Sequence, residues 1–246
     1  HTIAILQSAL RQLLRTAVIP NSRLYFAVDG AGSIPKIALQ RERRKDNGER
    51  AEREGGFDCR QVTPGCMFMA DLGDGLERTG LSLMHRPGPA NRLTEVVVDS
   101  ASTAGEGEFK VLRDLSSRVN SSAAIVSTDS DLYVYALLLP QATQESPLLH
   151  IRNPLCEPAA PNSALDIVAL RQVIGIESLG DFAFLSMLSG NDYVPAVPWG
   201  SVKILWSSYL EFRRQTFTFE PFYDHQNGVL NVDGLRRFIS WHLEHK

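Results

Sequence analysis

Three short apolar runs in this chain stop at carboxylates: LYFAV at Asp29, VVV at Asp99, and AAIVST at Asp129, with Asp131 two residues further on. Runs of this length bounded by polar residues suit strands, whereas the stretches between them carry helical patterns. These helical patterns cover IAILQSALRQLLRTAVI at the start, Pro35 to about Arg53, Met67 to Met84, and Phe109 to Val119. Strand alternating with helix predicts an α/β fold with a mostly parallel sheet and helices on both faces. Ligands bind such sheets at the carboxyl ends of the strands, where these acids fall.

At 246 residues the chain is long enough for a sizeable core, and a single domain spanning 1–246 is expected. A charged, exposed segment is expected near 45–60 and a proline-rich loop, NPLCEPAAPN, near 153–162. No apolar run approaches the roughly 20 residues of a membrane helix, so no membrane span is expected. Net charge is −3, which gives no bulk steer toward nucleic acid. The three cysteines, Cys59, Cys66 and Cys156, are odd in number and lack zinc-site spacing, so reduced thiols are expected. The sequence opens at His1 directly in a helical pattern without a targeting segment, and an upstream stretch is expected to have been removed. An intracellular setting, in cytoplasm, nucleus or mitochondrion, is the expectation.

Six acids form the candidate catalytic and metal-binding set: Asp29, Glu106 and Glu108 in AGEGEFK, Asp129 and Asp131 in VSTDSD, and Asp192 in LSGNDYVP. Gathered carboxylates repel one another unless cations neutralise them, and hard oxygen donors suit Mg2+ or Mn2+ better than zinc. Two cations about 4 Å apart would stabilise the attacking and leaving oxygens of a phosphodiester displacement. Singly, each acid has a plainer reading. Asp129 or Asp131 would cap a helix, and Glu106 or Glu108 would sit in a first turn against the helix dipole.

A second constellation is basic. Lys36, Gln40, Arg43 and Arg44 stand at i, i+4, i+7 and i+8, one face of a helix, with donors suited to a phosphate group. The competing reading is a solvated mixed-charge helix, since Glu42, Asp46, Glu49, Glu52 and Glu54 are interspersed. Further along, LYVYALLL suits helix or strand, LLHIRN a strand, and Ala164–Val173, Leu179–Leu188, Val202–Arg213 and Val232–Glu244 helices. The aromatics Trp199, Trp206, Tyr209, Phe212, Phe217, Phe219, Phe222, Tyr223 and Trp241 read as core rather than as base-stacking platforms.

In order, AVDGAGSIPKIALQRERRK, VTPGCMFM, AGEGEFK, STDSDLY and LSGNDYVPAVP resemble motifs of the Xrn 5′→3′ exoribonucleases. This resemblance implies a Rossmann-like or PIN-like sheet, with Asp29, Glu106, Glu108, Asp129, Asp131 and Asp192 as magnesium-site acids. It implies that Lys36, Gln40, Arg43 and Arg44 receive the 5′-phosphate of single-stranded RNA, removed one nucleotide at a time. Two departures stand out: Phe109 replaces the histidine of Gly-Glu-Gly-Glu-His-Lys, and Ile34 stands where the family has a basic residue. The alternatives are a non-catalytic RNA-binding or scaffold subunit of a large ribonucleoprotein, and a flap-type structure-specific nuclease.

Overall fold

A computed structural model describes residues 2–16, 20–85, 92–118, 122–140, 148–152, 164–216 and 220–245. Cys156, Phe217, Phe219, the proline-rich loop and most of HRPGPAN lie outside the described residues. The elements run α1 (Thr2–Thr16), β1 (Arg23–Ala27), α2 (Ile34–Glu54), α3 (Met67–Met84), β2 (Glu95–Asp99), α4 (Gly107–Ser116), β3 (Ala123–Ser127) and α5 (Asp131–Leu138). They continue with β4 (Leu148–Arg152), β5 (Ala164–Asp166), α6 (Ile167–Ile174), α7 (Leu179–Leu188), α8 (Val202–Thr216), β6 (Tyr223–Asp224), β7 (Val229–Leu230) and α9 (Val232–Glu244). The architecture is α/β with a small parallel sheet. β1 and β2 pair in parallel from Arg23↔Glu95 to Ala27↔Asp99. β3, β4 and β5 form a second sheet in that order, and β6 with β7 forms a two-stranded antiparallel ribbon. Among the described residues no helix is long and apolar enough to cross a membrane.

The chain divides into two compact units. The first comprises His1–Arg118, Ala124–Thr128 and Ile151–Ser163; the second comprises Val119–Ala123, Asp129–His150 and Ala164–Lys246. In the first, the apolar faces of α1 and α3 meet β1 and β2, with Leu14, Leu83 and Leu93 buried against Leu10, Leu24, Phe26 and Val96. Close approach depends on glycine at Gly80, where a β-carbon would lie 2.3 Å from Val96 Cγ1. Gln7 Nε2 donates to the Gly75 carbonyl at 2.8 Å and ties α1 to α3. Cys59 and Cys66 are free thiols, as expected.

The second unit is built on aromatics. Leu185, Leu205, Tyr209, Phe212, Phe222 and Phe238 form its buried core, with Trp199, Trp206, Tyr223 and Trp241 packed against them. Core is therefore the correct reading for these rings. LYVYALLL is helical as α5. The helix expected from Ala164 begins only at Ile167, because the Asp166 carboxylate accepts from Ala169 N–H at 3.0 Å and caps it there. Residues 164–166 pair as β5 instead.

Fully buried Asp181, on α7, accepts from Tyr209 O–H and, at 2.8 Å, from Tyr223 N–H, while Arg213 donates to the Tyr209 oxygen at 3.0 Å. Burial raises the Asp181 carboxyl above its ordinary range, against the opposing pull of the Tyr209 hydrogen bond. A raised carboxyl stabilises the fold fully below the unfolded carboxylate's titration, and that contribution is lost as pH rises through the folded value. Wild-type stability relative to Asp181→Asn is therefore expected to fall as pH rises from the ordinary carboxylate range toward neutrality. Denaturant melts across that window check it; a pH-independent difference would contradict the assignment.

Candidate functional site

In the first unit two loops at the carboxyl ends of β1 and β2 are laced together. Gly30 N–H donates to the Gly105 carbonyl at 2.8 Å and Gly105 N–H to the Ala31 carbonyl at 2.9 Å. Gly30 has no room for a side chain, since its β-carbon would lie 1.8 Å from the Thr103 carbonyl oxygen, and Gly105 adopts φ +107°. The lacing sets the Asp-Gly and Gly-Glu-Gly-Glu segments side by side, so that Asp29 Oδ1 accepts from Gly107 N–H at 2.6 Å. Exposed Asp29 thus faces the N-terminus of α4, where the helix dipole favours negative charge.

Glu106 is the residue preceding the first turn of α4 and is 4% exposed. Its Oε2 accepts from Lys36 Nζ at 2.5 Å, a charge-assisted contact between two side chains shielded from solvent. Glu108 follows in the first turn, half-buried. The unit therefore brings Asp29 and Glu106 to one helix end and aims a cation at the buried one.

The residues of the basic face of α2 differ in exposure. Lys36, Gln40 and Arg44 are half-buried and Arg43 is exposed, and Arg44 Nη2 donates to Gln40 Oε1 at 3.3 Å. Further along, Lys45–Glu49 and Arg50–Glu54 form exposed i,i+4 pairs. The N-terminal part of this helix reaches Glu106 through Lys36, and the C-terminal part is a solvated mixed-charge surface.

In the second unit Asp129 Oδ1 accepts from Asp131 N–H at 2.8 Å, and Asp131 lies in the first turn of α5. Asp192 sits in the loop after α7. That loop is shaped by Asn191 Oδ1, which accepts from Tyr193 N–H at 2.8 Å and Val194 N–H at 2.9 Å, and by Gly190 at φ +93°. A β-carbon on Gly190 would lie 2.9 Å from Ala196 N.

Among the described residues no three His, Cys, Asp or Glu side chains are grouped to hold a metal ion. Asp29, Glu106 and Glu108 offer only oxygen donors, the kind a hard divalent cation takes, and the Lys36 ammonium occupies Glu106 Oε2 in this arrangement.

Sequence reasoning missed the network beneath this helix end. Lys110, 2% exposed, donates to the Val28 and Ser100 carbonyls, each at 2.8 Å, and stands 3.1 Å from Asp99 Oδ1. Asp99 Oδ2 accepts from Tyr25 O–H and Arg113 Nη2, both at 2.9 Å. Burial raises the Asp99 carboxyl, but the bonds from Tyr25 and Lys110 outweigh it and hold the group below its usual range. Burial, then the Asp99 bond, push the Tyr25 hydroxyl up to about 12. Asp99 is thus a structural acid, although it ends a strand as Asp29 nearly does. The signal in the sequence was Lys110 as the last residue of AGEGEFK, the lysine of the Gly-Glu-Gly-Glu-His-Lys motif, whose burial nothing local revealed.

Comparison with known families matches residues 2–149 to the family described as XRN 5′-3′ exonuclease N-terminus. The chain is 24% identical to a 5′-3′ exoribonuclease 2 of Arabidopsis thaliana, over 91% of this chain and 30% of that protein. It is likewise 24% identical to a 5′-3′ exoribonuclease 2 of Eremothecium gossypii, over 90% of this chain and 31% of that protein. A 5′-3′ exoribonuclease 2 homolog of Caenorhabditis briggsae is 31% identical over 39% of this chain and 12% of that protein. The chain spans less than a third of the length of these relatives. Of the ten candidate residues, only Asp192 lies beyond the matched segment.

Proposed function

This chain belongs to the XRN 5′-3′ exonuclease N-terminus family, and from that premise we propose that it carries the metal- and phosphate-binding residues of a magnesium-dependent 5′→3′ exoribonuclease. Its proposed substrate is single-stranded RNA with a 5′-monophosphate. The observation that carries the reading is the meeting of Asp29 and Glu106 at the start of α4, with Lys36 of the basic helix bonded to Glu106.

Asp29, Glu106 and Glu108, and by motif order Asp129, Asp131 and Asp192, are the proposed ligands. Magnesium or manganese held by the acids of either unit would supply Lewis acidity for phosphodiester hydrolysis. The remaining work falls to the chain itself. The N-terminus of α4 holds Asp29 through Gly107 N–H and offsets the charge of its neighbouring acids. Lys36 neutralises Glu106, and Gln40, Arg43 and Arg44 extend the same helix with an amide and two guanidinium groups suited to phosphate oxygens.

A second reading, a non-catalytic RNA-binding subunit of a larger ribonucleoprotein, draws on the lack of any three-ligand group among the described residues. One experiment separates the two. The full-length protein with 5′-labelled, monophosphorylated RNA is expected to release label as mononucleotide. Chelation should stop the release, and added Mg2+ or Mn2+ should restore it. RNA binding by folded protein without turnover would favour the second reading, and turnover indifferent to chelation would contradict the metal assignment.

A further inference from the structure

We infer that Lys110 is a positioning residue that fixes Asp29 against the helix bearing Glu106 and Glu108, an inference that rests on the metal-site reading above. Its ammonium lies among three oxygens: the Val28 carbonyl at 2.8 Å, the Ser100 carbonyl at 2.8 Å and Asp99 Oδ1 at 3.1 Å. Two of the ammonium's three N–H donors meet the Val28 and Ser100 carbonyls, and its charge pairs with Asp99 Oδ1. Val28 and Ser100 are the residues just past the ends of β1 and β2. One side chain therefore ties both strand ends to α4, and its own backbone N–H donates to the Glu106 carbonyl at 3.1 Å.

The tie matters because Val28 immediately precedes Asp29. Asp29 and Glu106 both carry negative charge, and the place of Asp29 is set by backbone that Lys110 holds from beneath. Burying an ammonium is costly without compensation, and here the 2% exposed group is compensated by two strand-end carbonyls and one carboxylate rather than by solvent. Arginine does not replace it, because a planar guanidinium cannot gather three oxygens around one nitrogen.

Mn2+ binding by the full-length protein, measured by titration calorimetry, tests the inference. The wild type is compared with Lys110→Met, Lys110→Arg and the core control Leu93→Ala, each checked for folding by circular dichroism and thermal melting. Lys110→Met and Lys110→Arg are expected to weaken Mn2+ binding about 10–100-fold, the usual effect of removing a group that orients ligands. Leu93→Ala, which removes a buried side chain of the same unit, should lower the melting temperature with Mn2+ affinity within about twofold of wild type, because it leaves the ligand-orienting groups in place. Lysine variants that are folded yet bind Mn2+ like the wild type, or no worse than Leu93→Ala, would overturn the role of Lys110 alone. If Lys110→Met does not fold, Lys110→Arg decides by the same criterion. A wild-type protein that binds no Mn2+ would overturn the metal reading and this inference with it.

Discussion

Asparagine at both Asp129 and Asp131 is expected to slow magnesium-dependent degradation of monophosphorylated RNA by about a thousandfold or more. Loss of a bound cation removes several kcal/mol of charge stabilisation in phosphodiester displacement, and each ~1.4 kcal/mol is tenfold in rate. Asparagine is the informative replacement because Asp129 Oδ1 accepts from Asp131 N–H at the start of α5, and the amide oxygen retains that bond while losing the charge. Thermal stability should accordingly change by no more than the ~1 kcal/mol of a helix cap. A large fall in rate with little fall in melting temperature marks these acids as functional. A rate within tenfold of wild type would return them to the plainer role of capping α5.

Lys36→Met is expected to destabilise the protein by about 3–5 kcal/mol, the usual cost of removing one partner from a buried ion pair. The Lys36 and Glu106 side chains are only 12% and 5% exposed, so solvent cannot take over the charge left behind. Glu106→Gln is expected to cost less, because glutamine offers a neutral oxygen to the ammonium. The double variant should be more stable than the summed single losses imply by about 1–3 kcal/mol, the coupling of residues in direct contact. Denaturant unfolding of the four proteins measures this directly, and additivity within about 0.5 kcal/mol would show that the two do not act as a pair. Lys36→Met should also lose discrimination in favour of a 5′-phosphate.

How much was legible beforehand follows from the range over which each residue is determined. α3 appears with the bounds its periodicity predicts, and β1 and β2 pair where the apolar runs lie, because these signals are local. The start of α6 depends on one capping side chain, Asp166, which the helical pattern of Ala164–Val173 conceals. β6 and β7 are two residues each, too short to carry any alternation, and their ribbon went unpredicted. The acids at strand ends were visible as a class, yet nothing local separates Asp29, which faces a helix N-terminus, from Asp99, which is bound by Tyr25, Lys110 and Arg113. The burial of Lys110 and of Asp181 was illegible for the same reason. A charged residue is buried only when distant partners compensate it, and those partners are 10 to 82 residues away along the chain.

The most direct test of the account compares the rates at which the full-length protein degrades two RNAs differing only at the 5′ end, monophosphate against hydroxyl, in Mg2+. The Asp129→Asn/Asp131→Asn protein serves as control. The monophosphate substrate is expected to be degraded roughly tenfold faster or more, as charge-assisted bonds to one phosphate allow, and the control is expected to degrade neither. Equal rates for the two ends would contradict the phosphate-binding face of Lys36, Gln40, Arg43 and Arg44, and no turnover by the folded wild type would contradict the exoribonuclease itself.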